Sequence, residues 1–227
     1  HNLQEGIHER AAIAVTATAR HGLWSLDRKG EPQVKEVEIS LKGLPESFDG
    51  YRLVHISDIH ARSYVARRES LQKVVGMING MEPDLIAFTG DLITLDATEL
   101  EPVNEILREL HSKDGIVSVV GNHDYGIYAD PSHKGSLRRI LSEVIEEEER
   151  MGWNVLMDDN TIIRRGQDSI AVIGVQNTSP SRHFPSKGNL TQASVGTEGI
   201  FRILLTHDPM HWEEEILGKD YPLTLSG

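Results

Sequence analysis

Three short apolar runs, Tyr51–Ile56, Asp84–Phe88 and Ile116–Val120, alternate with two stretches of helical periodicity, and this rhythm limits the fold more than any other feature. Between the first two runs, Arg67–Gly80 puts Leu71, Val74, Val75 and Ile78 on one face and stops at Asn79-Gly80. Between the second and third, Glu99–His111 repeats the pattern with Leu100, Val103, Ile106, Leu107 and Leu110, with Pro102 tolerated in the first turn. A β-α-β-α-β series predicts a largely parallel sheet.

The flanking segments add further elements. Val34–Leu41 alternates as a half-exposed strand, and Ser136–Met151 is periodic through Leu137, Ile140, Leu141, Val144 and Ile145, with Glu146–Glu149 on a solvated face. Trp153–Met157 and Ser169–Val175 read as strands of a hairpin or sheet edge, separated by the turn-rich Asp158-Asp159-Asn160 and the polar Arg164–Asp168. Thr178–Gly199 is a loop bordering the site, Ile200–Leu205 a strand, Pro209–Leu217 a short helix and Pro222–Leu225 a last strand. Ala11–Val15 reads either as a helix or as the remnant of a targeting or anchoring segment.

Composition narrows the chemistry. The 227 residues carry 35 acidic against 23 basic side chains, a formal charge of −12, so the overall field disfavours extended binding to nucleic acid. A small phosphorylated substrate stays open, because bound cations reverse the sign locally. With no cysteine, disulfides, thiolate metal sites and cysteine nucleophiles drop out.

The strand exits carry the chemistry. Tyr51–Ile56 leads into Asp58 and His60, which converge if the backbone stays extended. Asp84–Phe88 leads into Gly90-Asp91, Ile116–Val120 into Gly121-Asn122-His123-Asp124, and Ile200–Leu205 into Thr206-His207. Gly121 is expected to permit a turn that presents the three polar residues after it. Oxygen and imidazole donors without thiolate suit a pair of divalent first-row cations or Mg²⁺, which one carboxylate can bridge at about 3.5–4 Å; Asp91 is the natural bridge. Such a pair suits phosphoester hydrolysis.

Through Asp58-Ile59-His60, Gly90-Asp91, Gly121-Asn122-His123-Asp124 and Thr206-His207, in that order, the chain resembles the calcineurin-like metallophosphoesterases. The resemblance implies an α/β fold, a four-layer α/β/β/α sandwich of mixed, largely parallel sheets over 34–227. It implies two divalent metal ions (Mn, Fe, Zn or Mg), Asp58, His60 and Asp91 binding one and Asp91, Asn122 and His207 the other. It implies hydrolysis of a phosphate ester or pyrophosphate by a metal-bridging hydroxide, with His123 as general acid and Asp124 orienting its ring. The family's last motif, Gly-His-x-His, gives one imidazole to each metal and would begin at Gly227, so the fold is expected to be incomplete at the C-terminus and both metals weakly held.

Leu53–His60, preceded by Leu44-Pro45 and Phe48-Asp49-Gly50, is similar to a bacterial subgroup that often carries an N-terminal membrane segment or export signal. That subgroup includes enzymes cleaving the pyrophosphate of a UDP-diacylglucosamine lipid precursor. The similarity implies a lipid or nucleotide-sugar pyrophosphate substrate and favours a membrane-associated or exported location, with residues 1–33 as the N-terminal segment. The alternative is a phosphoesterase-fold scaffold that binds a protein partner through its acidic surface. His55, His111, His133, His183 and His211 read as structural, with His183 the nearest to a substrate contact, and Trp153 and Trp212 as packing.

Overall fold

The computed structural model describes residues 10–20, 23–24, 34–130 and 137–227. The first sheet contains seven strands: β1 (Arg10–Arg20), β2 (Leu23–Trp24), β3 (Lys35–Leu41), β4 (Arg52–Ser57), β5 (Leu85–Phe88), β6 (Ile116–Ser118) and β7 (Asn154–Val155). β1, β4, β5, β6 and β7 lie side by side and parallel, and β2 and β3 pair antiparallel with β1. The second sheet has the order β11-β10-β9-β8, from β8 (Asp159–Arg165), β9 (Asp168–Gly174), β10 (Phe201–Leu205) and β11 (Leu223–Leu225). Only β8 runs antiparallel in it.

A parallel sheet covered on both faces needs strands that are apolar on both sides, and the central strands meet that demand residue by residue. Val54, Ile56, Ile86 and Phe88 point to a core shared with α1 (Arg68–Gly80), α2 (Asn104–Leu107) and α3 (Leu137–Arg150). Their neighbours Leu53, Leu85, Ala87 and Val117 point the other way and meet Ile163, Ile170, Val172, Ile203 and Leu205 of the second sheet. The outer face of that sheet, through Ala171, Ile173 and Leu204, is covered by α4 (Leu190–Ala193) and the π-helical turn Trp212–Ile216. The layers are therefore helix, sheet, sheet, helix, as the resemblance implies.

Three local expectations are corrected. Ala11–Val15 is extended within β1, and its backbone pairs with β3 and β4, so the sheet begins upstream of residue 34; the β-branched Val15, Thr16 and Thr18 suit that conformation. The second crossover is not one helix: a 3-10 turn at Ala97–Leu100 is followed by Val103 at φ −124° and then by α2. Pro102 lacks the N–H a continuous helix would use, and Glu99 turns its carboxylate back to accept from the N–H groups of Thr94 and Leu95. The hairpin partner of β9 is β8, which takes in Asp159 and Asn160 where a turn is expected, whereas β7 belongs to the other sheet. His133 lies outside the described residues. Among the described residues, no helix is long and apolar enough to cross a membrane.

Candidate metal centre

β4, β5, β6 and β10 all end on one side, where chain crossings of an open parallel sheet leave a crevice for ligands. Three residues at these exits depart from extended backbone: Asp58 (φ 54°), His60 (φ 45°) and Asp91 (φ 60°) occupy the left-handed region. Each costs on the order of 1–3 kcal/mol and persists only where the surroundings over-determine it. They do so here, since Asp58 N–H donates to Gly90 O (2.9 Å), His60 N–H to Asp91 O (3.0 Å) and Ala61 N–H to Leu92 O (2.8 Å). Asp58 and His60 thus converge through two left-handed turns rather than by the alternation of a strand.

The glycines allow two loops to touch backbone to backbone. A Cβ at Gly90 would lie 2.4 Å from Gly121 N, and one at Gly121 would lie 2.2 Å from Asp91 Oδ1. Gly121 is not in the left-handed region, so the close approach, and not a turn, is what demands glycine there.

Three imidazoles face one buried carboxylate oxygen. Asp91 Oδ2 is 3.4 Å from His207 Nε2, 3.7 Å from His60 Nε2 and 3.9 Å from His123 Nε2. Each ring is tied at its other nitrogen to a backbone carbonyl: His207 Nδ1 to Thr89 O (2.7 Å), His60 Nδ1 to Ile93 O (3.2 Å) and His123 Nδ1 to Thr94 O (2.8 Å). A carbonyl only accepts, so Nδ1 carries the proton, and in the neutral ring the Nε2 lone pair is left pointing at Asp91, the tautomer a metal requires. Asp58 Oδ1 lies 3.6 Å from His60 Nε2, and Asn122 Oδ1 lies 3.1 Å from His207 Nε2.

Two groups of metal-ligating atoms result, His60 with Asp91 and His123, and Asp58 with Asp91 and His207, each within 4.8 Å. Asp91 belongs to both groups, whereas the resemblance implies Asp58 and His60 together in one of them. The donor set of carboxylate, amide and imidazole fits divalent cations. Burial alone would raise the Asp91 carboxyl, but the His207, His123 and His60 rings outweigh it and hold Asp91 below its ordinary value. Burial lowers His207, yet the Asp91 and Asp58 carboxylates lift it to about 9.

The resemblance implies that Asp124 orients the His123 ring, but its carboxylate is engaged elsewhere. Its fully buried carboxylate accepts four backbone N–H groups, from Gly121 (2.8 Å), Asp91 (2.9 Å), Leu92 (2.9 Å) and Ile93 (3.2 Å), so it welds the β5 and β6 exits together. The group that orients the His123 ring is the Thr94 carbonyl. Glu99 was missed as well: it is buried, and besides Thr94 and Leu95 it accepts from Arg62 N–H (3.3 Å), holding the loop whose carbonyls aim His60 and His123. Glu99 is the first residue of the helical stretch, and by type nothing sets it apart from Glu101, Glu105 and Glu109. Asp158, buried at φ 61°, accepts from Gln176 and Asn189 and pins the loop after β9.

Of the remaining described histidines, two are buried and two exposed. His55 is buried against Thr89 Oγ1 (2.7 Å), and His211 is buried between Thr206 Oγ1 and Glu215 Oε2, both at 3.0 Å. His111 and His183 are exposed. Trp153 packs on Phe88, while Trp212 is 44% exposed. Asp208 accepts from Met210 N–H and closes a turn (2.9 Å). Gly227 lies beside the centre, donating to His207 O (2.8 Å).

The sequence profile of the calcineurin-like phosphoesterase family matches residues 51–224. The chain is 31% identical to a transmembrane protein with metallophosphoesterase domain from Danio rerio, over 98% of this chain and 50% of that protein. It is 30% identical to the uncharacterized metallophosphoesterase YkuE of Bacillus subtilis, over 94% of this chain and 70% of that protein. It is 32% identical to the UDP-2,3-diacylglucosamine pyrophosphatase LpxG of Chlamydia trachomatis, over 48% of this chain and 34% of that protein. The chain thus spans half the length of the first of these relatives, and similar identities in a fish and a bacterium show that the likeness is not confined to a bacterial subgroup.

Proposed function

The chain belongs to the calcineurin-like phosphoesterase family, and from that premise we propose that it hydrolyses a small phosphate ester or pyrophosphate at a two-metal centre. Asp58, His60, Asp91, Asn122 and His207 would hold the cations in this reading, Asp91 being common to both groups of donors. The observation that carries it is the set of rings fixed through Nδ1 with Nε2 aimed at one buried carboxylate. A bound pair of divalent cations supplies an activated water as nucleophile and neutralises charge on the phosphoryl oxygens.

His123 serves as general acid, and its position supports that role over a ligand's. Its side chain is 22% exposed, against 11% for His60 and 8% for His207, and its Nε2 stands farthest from Asp91. Protonated His123 donates one N–H, at Nδ1, to the Thr94 carbonyl and carries its other proton on Nε2, in a side chain that is 22% exposed. As the P–O bond breaks, the leaving oxygen takes that proton, which leaves the ring neutral. Asp124 contributes by holding the β5 and β6 loops in register.

The relative named as a UDP-2,3-diacylglucosamine pyrophosphatase makes a lipid-linked or nucleotide-sugar pyrophosphate the first natural substrate to try. Metal analysis together with hydrolysis of 4-nitrophenyl phosphate mono- and diesters tests the reading. Asp91→Asn is expected to lower metal content and rate together; unchanged values in that variant remove Asp91 from the centre.

A further inference from the structure

Tyr128 stacks on the ring of His123, and the hydrolytic reading above gives that stack a consequence. The chain leaves His123 through the 3-10 turn His123–Tyr125 and reverses at Gly126 (φ 69°), where Ala129 N–H donates to Gly126 O (2.9 Å). This turn is pressed on α3, since a Cβ at Gly126 would meet the Ile140 side chain at 2.7 Å. The reversal carries Tyr128 back over His123, with ring centroids 4.2 Å apart and planes inclined by 32°. The edge of the same imidazole meets the His60 ring at 4.6 Å.

The two tyrosines of this segment are placed differently. Tyr125 is half-buried with its hydroxyl donating to Gln176 Oε1 (3.1 Å), whereas Tyr128 remains 44% exposed although one ring face is covered by His123. A group that protonates the leaving oxygen must touch it, so whatever that oxygen carries departs along the wall nearest His123. The exposed aromatic surface of Tyr128 is part of that wall. Aromatic faces attract flat rings beyond simple area burial.

We propose that Tyr128 is a specificity-determining residue that favours substrates with a planar, aromatic leaving group by stacking on it; the proposal rests on the reading of His123 as the acid. Binding is tested first, with two phosphonates that are not hydrolysed. Calorimetry on the manganese-loaded protein compares phenylphosphonate with methylphosphonate for wild type, Tyr128→Leu, Tyr128→Phe and Tyr128→Trp.

Wild type and the Phe and Trp variants are expected to prefer phenylphosphonate by about threefold to tenfold, the size of one aromatic pair. Tyr128→Leu brings the ratio close to one while methylphosphonate affinity stays the same. In turnover, the ratio of kcat/KM for phenyl phosphate over methyl phosphate falls by the same factor in Tyr128→Leu alone. No preference in wild type, a preference kept by Tyr128→Leu, or equal weakening of both phosphonates in that variant each overturns the proposal. The hydrolytic reading fails by a different result, binding of both phosphonates without turnover of either ester.

Discussion

Asp124 and His123 are neighbours in sequence with separate tasks, and substitution separates them. His123→Ala removes the most exposed of the three rings but leaves Asp91, His60 and His207 in place, so metal content is expected to persist while the rate falls by about 10² to 10⁴. Loss of metal in that variant would make His123 a ligand. Asp124→Asn instead puts an amide N–H₂ where backbone N–H groups need an acceptor. With about 1–3 kcal/mol at stake for each buried donor left unmatched, denaturant unfolding is expected to show a loss of about 2 kcal/mol or more. His55 gives a pH signature. Burial pushes it down to about 4, against the pull of the Asp58 carboxylate, so between there and about 6.5 the unfolded chain binds more protons than the folded one. Stability is therefore full above about pH 6.5 and declines by up to about 3 kcal/mol as pH falls through 4. His55→Gln keeps a polar group for Thr89 and should flatten that decline; an unchanged slope would assign it to other groups.

At the level of elements, what could be read from the sequence was whatever leaves a periodic or punctuating trace. α1 matches its pattern because Leu71, Val74, Val75 and Ile78 all reach the core, and the exits of β4, β5, β6 and β10, which carry the candidate ligands, are marked by residue type. Backbone acceptors leave no such trace, which is why the Thr94 carbonyl could not be seen and the adjacent Asp124 was given its task. β8 was hidden because its Asp159 and Asn160 are turn-formers by type, while pairing with β9 draws both into a half-buried strand at the sheet edge. The contact between the β5 and β6 exits yields a prediction of its own. Gly121→Ala places a methyl group against Asp91 Oδ1 and N, so the loops must part; a cost of at least about 2 kcal/mol and loss of bound metal are expected. Gly152→Ala is the control: its φ of 86° is strained for alanine, but nothing lies within 4 Å of the new Cβ, so about 1 kcal/mol should be lost and metal binding kept. Equal metal loss in both variants would show that general destabilisation, not the loop contact, empties the centre.

Across the whole molecule, the two ends of the sandwich have different work. The candidate metal-binding groups occupy the end where the parallel strands exit, and a charged clamp closes the opposite end. Arg165, at the close of β8, reaches from the second sheet to the first, its Nη2 lying 2.9 Å from Asp84 Oδ1 and 3.1 Å from Asp114 Oδ2. Its guanidinium also lies over the Tyr51 ring at 4.6 Å, and Tyr51 donates its hydroxyl to the same Asp114 (2.8 Å). Asp84 is buried, which by itself would raise its carboxyl, but the Arg52 N–H, Lys113 and Arg165 hold it below its ordinary value. Arg165→Leu leaves Asp84 two of those partners and removes both the bridge and the cation over the ring. A loss of about 2–4 kcal/mol in unfolding free energy is expected, since removing one member of a largely buried pair costs more than an exposed pair contributes. Metal stoichiometry and kcat should stay at wild-type values, because the strands between the clamp and the centre are packed on both faces and fixed by the inter-sheet core. A variant that unfolds as easily as wild type would mean that the apolar contacts between Leu53, Val117, Ile163 and Val172 hold the sheets unaided. A variant that keeps its stability yet loses metal would show instead that the position of the second sheet, and with it His207, is set from the far end of the sandwich.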